Sequence, residues 1–170
     1  MRKKMISFLR QKSEKYHMSI HAVLGVMSGL AIKSIYPESN LNKMLALGFL
    51  ANILPDIDHL FYFLWYGAKS DYTRTVKKYI ADREIKALVA YLKRNHKYNT
   101  GIYSHNLMTL LFVLLLFWLA GLTRDSPSLS VVFLSWSLHY MYDIVEDFLF
   151  FKEINPNWFL RFNIKRKNEN

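Results

Sequence analysis

The sequence predicts an all-α fold: a four-helix transmembrane bundle with a basic, partly helical cytoplasmic connector. Three observations predict it. Charged residues are absent from Tyr16 to Ile32, from Tyr98 to Thr123 and from Ser126 to Tyr142, and between Met44 and Ala68 only Asp56 and Asp58 interrupt. A bilayer core of about 30 Å needs roughly 17 to 25 helical residues, so each stretch is long enough to span. Hydrophobic residues make up 52% of 170 residues while the net charge is +10, so an apolar body coexists with strongly basic margins. No Pro/Gly/Ser-rich linker divides the chain, which reads as one membrane-embedded domain over residues 1–170.

The first span covers about 19–36, where Pro37 stops it, and carries Gly25-x-x-x-Gly29, a small-residue face for close helix contact. The second covers about 41–66. Pro55 sits near its middle and predicts a kink before Asp56, and Gly67 marks its end. The third covers about 104–122, with Ser104 as its expected N-cap and the apolar run Leu110–Phe117 inside it. The fourth follows Pro127 and covers about 128–151. In the tail, Pro156, Trp158, Phe159 and Phe162 among basic residues read as an interfacial anchor.

Lys and Arg number six in residues 1–20, nine in 69–97, five in 152–170 and three elsewhere, Lys33, Lys43 and Arg124. The positive-inside bias then places both termini in the cytoplasm of a multi-pass inner-membrane protein. Anionic membrane lipids explain these basic flanks more simply than nucleic acid, and no nucleic-acid partner is expected. Val76, Ile80, Leu88 and Leu92 give the 69–97 connector the spacing of an interfacial helix. The short patch Met5–Leu9 is interrupted by Arg10 and Lys12, so a cleaved signal peptide is not expected. Without cysteine, thiolate sites and thiol nucleophiles are excluded, leaving imidazole, carboxylate and hydroxyl groups for chemistry.

Ionisable groups within a span cost about 2.5–3.5 kcal/mol each, so they persist chiefly where they pair, face the bundle interior or line water. This chain has His21 in span one, Asp56, Asp58 and His59 in span two, His105 at the head of span three, and His139 and Asp143 in span four. Asp56 and His59 are three apart and His139 and Asp143 four apart, which puts each imidazole–carboxylate pair on one helix face. Asp56 follows a rise of roughly 22 Å in span two, so in an alternating topology all four spans deliver polar groups to the cytoplasmic half. Imidazoles with carboxylates suit a divalent metal, zinc first, with manganese or iron as alternatives. Such an ion would bring the ionisation of water toward neutral pH, and Asp58, on a different face from Asp56, is expected as ligand, partner or general base.

Plainer readings apply to other polar residues. A lone His at a helix end is usually an interfacial hydrogen-bonding group, and His17 and His96 read as surface residues. Glu146 and Asp147 read as solvated helix-end charges. Ser104 and His105 are adjacent, and neighbouring helical side chains diverge, so they do not form a nucleophile–base pair. Trp118 and Trp136 read as lipid-facing or packing groups.

At these residues the chain resembles the YdjM-like membrane-bound metal-dependent hydrolases and, more distantly, zinc-dependent phospholipase C. The resemblance covers residues 17 to about 158. It is carried by His21 with Gly25, Leu54-Pro55-Asp56-Ile57-Asp58-His59, Tyr103-Ser104-His105-Asn106 and His139-Tyr140-Met141-Tyr142-Asp143. It implies hydrolysis of a phosphoester or lipid at the inner leaflet. The chain departs from the family where a His-Arg-Gly-x-Thr-His-Ser run is expected: Asn99-Thr100-Gly101-Ile102-Tyr103-Ser104-His105 lacks the first His, and His96 is a candidate substitute. Two other functions compete, an ion or proton-coupled transporter component using Asp56, Asp58 and Asp143, and a non-enzymatic scaffold stapled by a structural metal.

Overall fold

A computed structural model of the chain describes residues 2–99, 102–123, 126–151 and 158–159. All regular structure among the described residues is helical. Helix α1 runs Arg2–Ile35, so the first helix begins well before the expected residue 19. Its basic half contains no Gly or Pro and is rich in Lys, Arg, Glu and Gln, all good helix formers, so nothing interrupts it before Tyr36-Pro37. Lys33 Nζ donates to the Pro37 and Ser39 carbonyls and ties off that end.

Helix α2 (Leu41–Ile53) starts at Asn40, whose Oδ1 accepts the Lys43 amide at 2.9 Å. The kink expected at Pro55 is a 3-10 turn, Leu54–Asp56, followed by the short α3 (Ile57–Phe61) and a π turn, Tyr62–Tyr66. Pro55 lacks the amide that would continue the ladder, and the tighter turn rotates Asp56 relative to α2. Gly67 follows the run as its C-cap, and only glycine fits there, since a Cβ would lie 2.3 Å from the Tyr62 ring.

The connector folds as α4 (Asp71–Ala81) and α5 (Ile85–Asn95), bridged by stacking of Tyr72 on Tyr91 with ring centroids 5.6 Å apart. Helix α6 runs Leu107–Thr123. Ser104 is not its cap; Asn106 Oδ1 accepts the Thr109 amide at 2.9 Å, which places the helix start three residues later than expected. Helix α7 runs Pro127–Phe151, with Pro127 at the first position, where its missing amide is harmless.

Helix α7 is central, touching α1, α2 and α6, while α1 and α2 lie against each other. The Gly25/Gly29 face does make that crossing, and it meets Gly48, which sequence reading overlooked. A Cβ on Gly48 would sit 2.2 Å from the Gly25 carbonyl oxygen, and one on Gly29 would sit 2.6 Å from that of Met44. The backbones therefore approach as only small residues allow. Apolar packing is local: Ile32, Met44 and Val131 form one cluster, and Leu110, Val113 and Tyr140 another, against which Trp136 packs.

Polarity is distributed inside out. His21, Ser28, Asn52, Ser130, Ser135, Ser137, His139 and Asp143 are buried, while Val23, Met27, Leu30, Met108, Leu111, Phe112, Leu115 and Trp118 are exposed. Water would penalise that much contiguous apolar surface; hydrocarbon accommodates it and drives polar groups inward. Two stretches, Lys4–Ile35 and Leu41–Tyr66, are long and apolar enough to cross a membrane, and Leu107–Leu122 is a shorter apolar helix. Helix α7 has the length, but Asp143, Glu146 and Asp147 break its apolar run. Of the tail, Trp158 and Phe159 fall within the described residues, whereas Pro156 and Phe162 lie outside them. Trp158 is not a lipid anchor: it is 5% exposed, and its indole N–H donates to Asp147 Oδ2 at 2.9 Å.

Candidate metal centre

Five segments supply the polar interior: α1 gives His21, the Pro55 turn Asp56, α3 His59, the loop before α6 His105, and α7 both His139 and Asp143. Asp143 is the hub. Its Oδ1 lies 3.2 Å from His21 Nε2, and its Oδ2 lies 3.2 Å from both His105 Nε2 and His139 Nε2. Asp56 Oδ1 lies 3.7 Å from His139 Nε2, 3.9 Å from His59 Nε2 and 4.0 Å from His105 Nε2. Among the described residues, donor atoms within 4.8 Å of one another form three sets: His105, His139 and Asp143; Asp56, His59 and His105; and His17, His21 and Asp143.

The far sides of the rings set their chemistry. His21 Nδ1 lies 3.0 Å from Asn52 Oδ1, and the Asn52 amide nitrogen donates to the Ser135 carbonyl at 2.7 Å, which orients that amide with its oxygen toward the ring. His139 Nδ1 lies 2.7 Å from the Asn52 backbone carbonyl. Both partners are acceptors, so each Nδ1 carries a proton, and in the neutral ring each Nε2 presents its lone pair to the centre. His21 Nε2, His139 Nε2, Asp143 Oδ1 and Asp56 Oδ2 are buried atoms without a hydrogen-bond partner. Imidazole nitrogens and carboxylate oxygens 3.2 Å apart in the interior of a bundle call for a shared cation, a proton or a metal ion. The donor set fits a divalent metal on that ground, with Nδ1 partners of the kind that orient metal-ligating imidazoles.

Asp58 stands apart from this cluster. Its Oδ1 accepts Tyr66 Oη–H at 2.6 Å and its Oδ2 accepts the Ser104 amide at 2.7 Å, while the Tyr66 oxygen accepts the Tyr103 amide at 3.2 Å. Each oxygen of the residue expected as ligand or base thus accepts a hydrogen bond, one from Tyr66 and one from the loop that carries His105. His105 is oriented further by Ser104, whose Oγ lies 2.9 Å from its Nδ1. His96 belongs to none of the three donor sets among the described residues.

Glu146 is not a solvated helix-end charge. It is 2% exposed, accepts Ser13 Oγ–H at 2.6 Å, lies 3.1 Å from His17 Nδ1 and pairs with Lys97, which also donates to Asp147 Oδ1 at 3.1 Å. Burial pushes the Lys97 ammonium toward neutrality, but Asp147 and Glu146 outweigh it and hold its pKa above the ordinary lysine value. His17 is accordingly half-buried, not a surface residue, and its ring centroid lies 4.5 Å from that of His21.

Sequence reading missed Asn52, Tyr66, Ser135 and this Ser13–His17–Lys97–Glu146 network. Asn52 left a signal: it is the one amide in the apolar run from Met44 to Pro55. Lys97 left none, being one of nine basic residues in its segment.

A helical chain that turns its apolar residues outward and gathers imidazoles and carboxylates at its centre is a membrane protein with a polar interior. The profile of the YdjM inner membrane protein family matches residues 17–160, and the chain belongs to that family. No curated protein and no solved structure matches it. The match carries the family and its inner-membrane setting and names no reaction.

Proposed function

We propose that this chain is a membrane-bound metal-dependent hydrolase acting on a phosphoester or lipid at the cytoplasmic face of the inner membrane. The observation that carries the reading is the convergence of unpartnered imidazole Nε2 and carboxylate oxygens, with two of the imidazoles proton-locked on their far side by Asn52. His21, His105, His139 and Asp143 would hold a divalent cation, with Asp56 and His59 completing a second position beside it. Zinc suits these ligands first, and manganese or iron next. When bound, such an ion supplies Lewis acidity, polarising a phosphoryl oxygen and bringing the ionisation of water within reach of neutral pH. Where a single ion is held, Asp56 is a carboxylate left to take a proton, since its Oδ2 is unpartnered and its side chain is a quarter exposed. Asp58 and Tyr66 position His105.

The reading includes four crossings with both termini cytoplasmic. Its support is that Lys15 of α1, Lys93 and Lys97 of the connector and Glu146 near the end of α7 line one cavity, so two of the three basic segments meet at one end of the bundle. The test is elemental analysis of detergent-purified protein, followed by assay against phosphodiester and lipid substrates. Stoichiometric metal and turnover, both lost in His139→Ala and His59→Ala, are expected. Turnover that survives complete metal removal would overturn the reading.

A further inference from the structure

Beside the donor cluster lies a cavity of about 470 Å³, walled by the N-terminal half of α1, the end of α5 with the turn after it, and the last turns of α7. Its volume is in the range of small-molecule sites. Its floor is fixed by buried polar contacts: Glu146 holds Ser13, His17 and Lys97, and the Lys97 side chain is 10% exposed. At its rim Glu14 is matched by Arg10 at 3.2 Å, as Glu146 is matched by Lys97. Lys15 and Lys93, also lining it, lie within ion-pair reach of no carboxylate among the described residues. Surplus positive charge therefore sits on exposed side chains of the lining, and the cavity adjoins the donor cluster through His17, which lines it and packs against His21.

Lys15, whose Nζ lies 5.1 Å from the Tyr16 ring centroid, and Lys93 line a pocket in which Glu14 and Glu146 are already matched by Arg10 and Lys97, and so have the charge and the place to receive an anion. We infer that this cavity binds the phosphate of a phosphoester ligand, Lys15 and Lys93 drawing it in and His96 lining its seat, while Lys97 neutralises the Glu146 carboxylate on the same wall. The inference rests on the metal-dependent reading for what happens to the ligand, and on the cavity alone for its binding. Ammonium–phosphate contacts are charge-assisted, and each tenfold in affinity corresponds to about 1.4 kcal/mol, so losing both lysines should weaken phosphate binding by about tenfold or more at low salt.

The experiment uses the full chain in detergent, titrated with inorganic phosphate and read by calorimetry and by protection of Lys93 from an amine-reactive reagent. Saturable binding that weakens by about tenfold in the Lys15→Ala/Lys93→Ala variant, and is unchanged in the Lys77→Ala/Lys78→Ala control on exposed α4 positions, is the expected result. Equal affinity in the two variants, or no binding by the unaltered chain, would overturn the inference. Reconstitution in phosphatidylglycerol nanodiscs separates the sources. Protection of Lys93 but not Lys77 without added phosphate assigns a lipid headgroup, and protection only on adding inorganic phosphate assigns a soluble ester. Protection in neither case refutes both. Metal content is measured in the same preparations: metal retained with phosphate binding unaffected by the two lysine substitutions sinks this inference alone, whereas phosphate binding as expected in a chain that takes up no metal sinks the hydrolase reading alone.

Discussion

Asn52 is the residue whose replacement tests the candidate centre most selectively. Its side-chain oxygen accepts from His21 Nδ1 at 3.0 Å and its amide nitrogen donates to the Ser135 carbonyl at 2.7 Å, while its backbone carbonyl serves His139. Asn52→Ala removes the first two contacts and keeps the third. His21 then loses the acceptor that holds its proton on Nδ1, and its ring is free to turn or to adopt the other tautomer, which withdraws Nε2 from Asp143. Losing such an outer partner typically costs 10- to 100-fold in metal affinity, about 1.4 to 2.8 kcal/mol. The two severed buried hydrogen bonds leave an imidazole N–H and a carbonyl without partners, a further loss of about 1–3 kcal/mol in stability. The assay is zinc binding against a chelator of known affinity, on protein that remains monodisperse and helical by circular dichroism. A folded Asn52→Ala protein that binds zinc as tightly as the unaltered chain would refute the argument that the Nδ1 partners create the centre.

Chelation is expected to lower the melting temperature of the unaltered chain, since an ion that binds only the folded state stabilises it by mass action, and to leave that of His139→Ala unchanged; differential scanning fluorimetry in detergent reads both. Gly48→Ala places a Cβ 2.2 Å from the Gly25 carbonyl oxygen, a backbone atom that cannot move aside, so α1 and α2 must separate and stability falls by about 1–3 kcal/mol or more, seen as early thermal unfolding. Tyr66→Phe removes the hydroxyl shared by Asp58 and the Tyr103 amide, and it should loosen the His105 loop, lowering metal affinity a few-fold in the same chelator competition with little change in helicity. Lys97→Met removes the ammonium that Glu146 and Asp147 share in a buried place and leaves them only Ser13, His17 and Trp158, a loss of about 3–5 kcal/mol. Because the folded Lys97 pKa is raised, its contribution is complete below the ordinary lysine pKa and is lost only as pH climbs through the higher folded value. The gap between the two proteins' melting temperatures should therefore hold constant from pH 7 to 9 as far as Lys97 is concerned.

What was legible in the sequence followed from two simple rules, and what was not followed from their silence about direction. Charge-free length located the helical stretches, and the 3.6-residue period paired Asp56 with His59 and His139 with Asp143, because both depend only on spacing along one helix. The period also sets Asp58 off the Asp56 face, but it cannot say what occupies the other side; here Asp58 accepts from the amide of Ser104, some forty-six residues on. Glu146 was misread for a similar reason. Near a helix end an acid is usually solvated, but α1 continues far enough toward its own N-terminus to cover α7 with Ser13 and His17, and that extension was invisible because its residues are basic and its periodicity weak.

The deeper regularity is that this protein inverts the usual reading of burial. In water, a buried Asn, five buried Ser and two fully buried His would each call for a separate explanation. In hydrocarbon, the outward face must be apolar, so whatever is polar collects inside and must be satisfied there. Ser135 Oγ donates to the Gly48 carbonyl at 2.7 Å, Asn52 bridges Ser135 and His21, and His21 reaches Asp143. The chain of partners runs from the glycine crossing of α1 and α2 straight to the donor cluster and stops at atoms with none. The closeness of those two helices is therefore a condition of the centre's geometry: widening the Gly25–Gly48 contact moves Asn52 and, through it, the Nε2 atoms of both His21 and His139.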